Sequence, residues 1–369
     1  MMGFSRMGTA SQPGSVLLSQ SSDMMDLNAR LEPLRQKFGL PALAAAVVRG
    51  EKIVGQGAVG VRKQGSHEMV TLTDKFHIGS NTKSMTATIA AMLVEEGKLS
   101  WQTTLSEVFP EIKTMSAQYQ AVTLEQLLSH RSGAPENLDQ DALWSRIRAH
   151  QGTPTEQRMF LLKNLTAQPP EVSPGTKFIY SNAGVVMAGA MLEKVTGKTW
   201  EDLMQKMLFD PLGMTAAGFG APASPDKVDQ PWGHLFLLGK LSPIPPGPGA
   251  DNPAAIGPAG TVHCSIGDYA KYAAFHLQGA NGKGKLLKAE TFTKLHTPVS
   301  GQDYALGWIA VERDWAGGRA LTHAGSNTMF FALIWIAPRK NIAVVVATNL
   351  GSDKAFEGCD QTVSALIQD

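Results

Sequence analysis

Two short, continuously apolar segments stand near opposite ends of this 369-residue chain: Pro41-Ala42-Leu43-Ala44-Ala45-Ala46-Val47-Val48 and Ile342-Ala343-Val344-Val345-Val346-Ala347. A membrane-spanning helix needs roughly 20 such residues, so neither qualifies. Runs this short suit strands buried on both faces. Their surroundings agree. Arg49-Gly50-Glu51 separates Ala42–Val48 from a second strand-like run, Lys52–Val61, which is a hairpin signal. Near the other end, Ala305–Arg313, Arg319–Thr322, Met329–Ala337 and Ile342–Asn349 alternate with turns, as an antiparallel meander does.

Between Leu99 and about Leu277 the strand pattern disappears. Helical segments replace it: Leu124–His130, Asp139–Ala149, Thr155–Leu165, Asn182–Thr196, Thr199–Leu208 and Ser265–Leu277, with Thr123 and Asp139 as caps. Ser242–Gly260 is dense in Pro and Gly and reads as a long ordered loop or a lid. Met24–Phe38 and Ser352–Ile367 read as helices at either end. The predicted fold is α+β. An antiparallel sheet is built from both termini and flanked by helices, with a mainly helical lobe inserted and the site in the cleft. The expected division is a discontinuous α/β domain, 24–98 plus 280–369, a helical domain, 99–279, and a flexible segment, 1–23.

A net charge of +1 gives no basic field for nucleic acid. The two cysteines, Cys264 and Cys359, make no disulfide framework and read as separate core residues, a single bridge being the alternative. There is no His-Glu-x-x-His or paired-Cys spacing for zinc and no phosphate-binding glycine loop, so no metal or cofactor is expected. Met1–Ser22 lacks an apolar signal-peptide core. A cytoplasmic location is therefore expected, or a periplasmic or secreted one if a signal peptide has been removed.

Chemistry concentrates in Phe76-His77-Ile78-Gly79-Ser80-Asn81-Thr82-Lys83. A strand-like entry meets a glycine, and a strong helical pattern follows. If Ser80 opens that helix, Ser80 and Lys83 share one face. A serine hydroxyl becomes a nucleophile when a base takes its proton, and a lysine kept neutral by burial is such a base. Read alone, Ser80 is as readily an N-cap and Lys83 an exposed first-turn residue. Ser224-Pro225-Asp226-Lys227 repeats the spacing in a Pro/Ala loop, with no helix to align it.

Two further segments supply what such a site needs. Tyr180-Ser181-Asn182 precedes a helical pattern. A phenol near an ammonium has a lowered pKa and relays a proton, and the carboxamide can hold the lysine and a substrate carbonyl. His323-Ala324-Gly325-Ser326 ends a strand, where small residues let substrate lie along the edge.

In this order the three segments resemble the serine β-lactamase-like superfamily, which includes class C β-lactamases, D-Ala-D-Ala carboxypeptidases and family VIII carboxylesterases. Leu127-Leu128-Ser129-His130-Arg131-Ser132-Gly133, Asp210-Pro211-Leu212-Gly213-Met214 and Gly257-Pro258-Ala259-Gly260 look like recurring phrases of that family, and the likeness runs from about Leu27 to Ile367. The resemblance implies an acyl-enzyme on Ser80. Lys83 and Tyr180 would share general-base and general-acid work, and the backbone N–H groups of Ser80 and Ser326 would form the oxyanion hole. Asn182, His323, Gly325 and, by a looser match, Asn137 would bind substrate.

The third segment departs from the Lys-Thr-Gly of class C β-lactamases. A histidine is cationic only where its pKa allows. The departure weakens the case for strong β-lactam turnover and leaves room for neutral esters. The reading is a carboxylesterase on small acyl esters, with weak β-lactam hydrolysis, acting on a small-molecule ester or β-lactam. Its rivals are a class C-like β-lactamase or D-Ala-D-Ala carboxypeptidase and, from other classes, an acyltransferase or a non-turnover ligand-binding or sensor domain. Trp232 and Phe236 could line an acyl pocket or simply pack.

Overall fold

A computed structural model describes residues 24–138, 142–299 and 301–367. The segment 1–23 and the proposed cap Asp139 lie outside the described residues.

Seven strands form the main sheet, in the order β1 (Met25–Asp26), β3 (Lys52–Gly60), β2 (Ala42–Arg49), β12 (Ile342–Thr348), β11 (Phe331–Ala337), β10 (Gly318–Ser326), β9 (Ile309–Arg313). All pairings are antiparallel except β1 with β3. The two ends of the chain meet in the β2–β12 ladder, which runs from Leu43 opposite Thr348 to Arg49 opposite Ile342.

That ladder explains the apolar runs. Successive side chains point to opposite faces of a strand. Ala42, Ala44, Ala46 and Val48 enter one buried core, while Leu43, Ala45 and Val47 enter a second. The first lies under α2 (Thr82–Glu95) and α5 (Ile266–Ala280), the second under α1 (Asn28–Phe38) and α6 (Asp353–Ile367). With both faces covered, polar alternation has no place. Each large apolar side chain so buried contributes about 1.5–3 kcal/mol.

The larger core continues without a break from the sheet into α2 and α4 (Asn182–Thr196). α5 lies on the sheet, although its residues fall within the expected 99–279 lobe. α3 (Pro154–Thr166) is tied to α4 by the buried Arg158, which contacts Glu193 at 2.6 Å and Glu201 at 2.8 Å.

Local differences from the sequence reading have local causes. Ser242–Gly260 is not one loop: β6 (Gly233–Leu237) pairs with β7 (Lys240–Ile244), and only the remainder turns through short helical segments. Pro243 stands in an isolated two-stranded ribbon, where a missing N–H is tolerated. The meander's first strand starts at Ile309, after Gly307 reverses the chain at φ +78°. Thr123 caps as expected, by a reciprocal capping box with Gln126. Among the described residues no helix is long and apolar enough to cross a membrane. Cys264 and Cys359 are buried, separate thiols.

Candidate active site

β4 (Lys75–His77) delivers the chain to Gly79, whose φ of +52° allows a tight turn. Gly79–Asn81 form a 3-10 turn, and α2 starts only at Thr82. Ser80 therefore precedes the helix instead of opening it. The turn is continuous with the helix, so Ser80 and Lys83 still share a face. It is pinned by side chains. Asn81 Nδ2 donates to Ile78 O at 2.8 Å and Ala332 O at 3.3 Å; Thr82 Oγ1 donates to Gly79 O at 2.7 Å; Ser84 Oγ donates to Asn81 O at 2.8 Å.

Lys83 is buried. Its Nζ lies 2.8 Å from Ser80 Oγ, 2.7 Å from Asn182 Oδ1 and 2.7 Å from Ala259 O. Burial lowers its pKa well below the ordinary lysine value. Nζ therefore has three oxygen partners: in the neutral amine two N–H groups serve Asn182 and Ala259 and the lone pair faces the Ser80 hydroxyl, whereas an ammonium donates to all three. Ala259 belongs to the Gly257–Gly260 turn, held between helices: Thr86 Oγ1 of α2 donates to Pro258 O at 2.7 Å, and Gly189 of α4 leaves room for the Pro258 ring. Trp200 Nε1 donates to Thr86 Oγ1 at 3.1 Å and braces the same contact.

Tyr180 and Asn182 flank Ser181, the N-cap of α4, whose Oγ accepts from Gly184 N–H and donates to Pro135 O at 2.6 Å. The Lys83 ammonium position is 4.8 Å from the Tyr180 ring centre. The expected lowering of the phenol pKa does not occur. Burial pushes Tyr180 up to about 12, only partly opposed by its hydrogen bond with Ser80. The physical reason is that one desolvated site disfavours both charged forms, lowering the lysine pKa and raising that of the phenol.

Two glycines bring the backbone amides of Ser80 and Ser326 together, the pair expected to serve an oxyanion. A Cβ on Gly79 would lie 2.3 Å from Ser326 N. A Cβ on Gly325 would lie 2.0 Å from Ile78 O and 2.6 Å from Ser80 N. β10 thus rests directly on the nucleophile turn, at a distance that only glycine permits. The backbone amides of Ser80 and Ser326 are neighbours for that reason.

His323 is on β10 but does not offer its ring to the cleft. It is 3% exposed. Nδ1–H donates to Ala324 O at 2.6 Å, so Nε2 is the acceptor, 3.2 Å from Tyr304 Oη. Tyr304 Oη is also 3.1 Å from His130 Nε2, and His130 Nδ1 accepts the Ser181 N–H at 3.1 Å. Every proton in this chain is assigned by its ends: Ser181 N–H to His130, His130 Nε2–H to Tyr304, Tyr304 O–H to His323, His323 Nδ1–H to Ala324. Desolvation, with the nearby Lys83, lowers His323 to about 3, and it lowers His130 well below the usual histidine range. His323 was expected to bind substrate; here both of its ring nitrogens are engaged by protein groups.

Asn137 is exposed and lines a cavity of about 320 Å³ with Tyr119, Arg146 and Lys163; it has no recorded contact with Ser80 or Lys83. Its loop does reach the site through Pro135 and Ser181. Trp232 is buried under Lys63, 4.0 Å from the ring centre, and Phe236 is half-exposed on the β6–β7 hairpin. The sequence reading missed Ala259, Tyr304 and the ring roles of His130. Two of them sit in segments it had singled out, Gly257–Gly260 and Leu127–Gly133.

A family model described as Beta-lactamase matches residues 27–366. "Penicillin-binding protein 4" of Amycolatopsis lactamdurans is 27% identical, over 89% of this chain and 85% of its own length. "Unguisins hydrolase ungD'" of Aspergillus campestris (strain IBT 28561) is 26% identical over 87% of this chain, which spans only 61% of that protein. The octameric penicillin-binding protein homologue from Pyrococcus abyssi superposes with a TM-score of 0.75 at 24% identity, covering 92% of this chain and 76% of that one; at that identity the likeness speaks for the fold.

Proposed function

Starting from a chain that belongs to the Beta-lactamase family, whose members are hydrolases of the serine β-lactamase fold, we propose a carboxylesterase acting on small neutral acyl esters through an acyl-enzyme at Ser80. Lys83 is the base. Its lone pair takes the Ser80 proton as Oγ bonds to the ester carbonyl carbon. The carbonyl electrons move onto oxygen, held between the N–H groups of Ser80 and Ser326. Tyr180, protonated and bonded to Ser80, passes its proton to the departing alkoxide, which leaves as the alcohol; the phenol takes back the proton that Lys83 removed from Ser80, so that both groups return to their starting forms. Water then repeats the cycle on the acyl-enzyme and releases the acid.

One observation favours neutral esters over carboxylate-bearing β-lactams. The third segment presents no cation, since His323 is buried, uncharged and bonded through both nitrogens. A substrate carboxylate brought there would lose its hydration with no charge to replace it.

The test is steady-state kinetics on a short-chain aryl ester beside a chromogenic cephalosporin, with mass spectrometry of the trapped adduct. Ester turnover exceeds cephalosporin turnover, the adduct maps to Ser80, and Ser80→Ala is folded and inactive. Faster cephalosporin turnover would reverse the substrate reading, and an active Ser80→Ala would remove the mechanism.

A further inference from the structure

The nucleophile turn and the oxyanion strand are joined a second time, behind the site. His77, at the end of β4, is fully buried. Its Nδ1 accepts the Gly79 N–H at 3.1 Å, so its proton is on Nε2. That proton faces the Asp251 carboxylate, whose oxygens lie 3.0 and 3.1 Å from Nε2.

The same carboxylate reaches the other arm. Asp251 Oδ1 accepts from Asn327 Nδ2 at 3.1 Å and from the Asn252 N–H at 2.7 Å. Asn327 directly follows Ser326. Its Oδ1 accepts the N–H groups of Met329 at 3.2 Å and Phe330 at 3.0 Å, and so shapes the turn out of β10. Ser326 Oγ donates into that turn, to Phe330 O at 2.7 Å.

Asp251 is 7% exposed; its carboxylate is met by an imidazole, a carboxamide and an amide N–H, and its backbone oxygen accepts from Arg148 Nη2 at 3.2 Å. A buried carboxylate is costly to keep unless such donors hold it. Its two side-chain partners lead, within three residues, to the two backbone donors assigned to the oxyanion.

We infer that Asp251 is a positioning residue for acyl transfer, setting the spacing between the Ser80 and Ser326 N–H groups through His77 and Asn327. The inference rests on the proposed oxyanion role of those two amides. Asp251 touches neither substrate nor reacting atoms. It acts by holding two arms at one distance, and an oxyanion hole is sensitive to that distance.

The chemistry of the pair gives a specific test. Asp251→Asn keeps an oxygen for His77 but turns an NH2 toward the NH2 of Asn327. Asn327→Asp sets two carboxylates against each other. The exchange variant D251N/N327D restores the contacts of position 251 with His77 and with position 327, the charge moved across, and gives up only the Asn252 N–H bond.

All three are made in the full chain and assayed for kcat and KM on a short-chain aryl ester, for affinity toward a boronic acid that forms a tetrahedral adduct with serine, and for Tm. Each single variant lowers kcat about 10- to 100-fold. KM is little changed, and boronate affinity falls in parallel. The exchange variant recovers both. Unchanged kcat in a folded Asp251→Asn overturns the inference. So does an exchange variant with wild-type Tm that recovers neither kcat nor boronate affinity. If Asp251→Asn does not fold, Asn327→Asp and the exchange variant carry the comparison. Failure of the underlying mechanism would show separately, as a wild-type protein with no adduct on Ser80.

Discussion

Lys83 Nζ lies 2.7 Å from the backbone carbonyl oxygen of Ala259. With Asn182 Oδ1 at the same distance, the two N–H groups of a neutral amine are fully used, and protonation would place a third proton against Ser80 Oγ. The expected pH profile follows from the direction of the shift. Burial lowers the Lys83 pKa, so kcat/KM is lost as pH falls through that lowered value and is flat well below the ordinary lysine pKa of about 10.4. Tyr180, at about 12, adds no alkaline limb below pH 10. A pH–rate series on a neutral ester measures both. An acid limb near 10 would mean that Lys83 is charged at rest.

Gly325→Ala tests the approach of β10 to the nucleophile turn. The added methyl would sit 2.0 Å from Ile78 O, so the strand or the turn must move by more than 1 Å. Such a displacement at an oxyanion hole costs about 10²- to 10³-fold in kcat. Gly325 is buried against the turn, so the fold of the variant is checked beside its rate. Stopped-flow acylation and circular dichroism together check the expectation. A normal acylation rate would show that Ser326 N–H does not need this contact.

The sequence carried the sheet, the three chemical segments and the order in which they meet, because each is written in short-range pattern. Ala42–Val48 reads as a buried strand whatever follows it. Other features depended on partners distant in sequence. Nothing around Ala259 says that its carbonyl will face Lys83, since that contact is made through Thr86, Pro258 and Gly189. Nothing in His323-Ala324-Gly325 says that the imidazole will turn away toward Tyr304. The Tyr180 pKa went the other way for the same reason. Proximity to Lys83 was legible, but the burial that disfavours the charged form of both groups was a property of the assembled cleft.

Tyr304→Phe removes the hydroxyl at the centre of the His130–Tyr304–His323 chain. Two buried ring nitrogens lose their partner, at about 1–3 kcal/mol each. A lower urea midpoint with an unchanged slope is expected. ¹⁵N NMR of the wild type should find His323 protonated on Nδ1 and His130 on Nε2. The Ser181 N–H and Ala324 O ends of the chain loosen in the variant, so kcat falls as well. A wild-type urea midpoint, or the opposite tautomers, would contradict the assigned direction of the chain.

Acid stability is the last expectation. His130, His234, His263, His276, His296 and His323 are all buried, and desolvation lowers the pKa of each, to about 4 for His234 and His263 and about 3 for His296 and His323. The folded-state values lie below the unfolded one, so between them the unfolded chain binds protons that the native chain does not. Stability is thus complete above the unfolded histidine pKa of about 6.5 and falls as pH drops below it toward the folded values. Each histidine contributes a slope of about 1.4 kcal/mol per pH unit in that window. Six acting together destabilise the fold steeply between pH 6 and 5, before most carboxylates titrate. Urea unfolding at closely spaced pH values measures the slope, and a slope near zero would mean that these rings bind protons without unfolding. His323→Asn, which cannot take up a proton, reduces that slope by about one proton's worth even if it lowers stability at neutral pH.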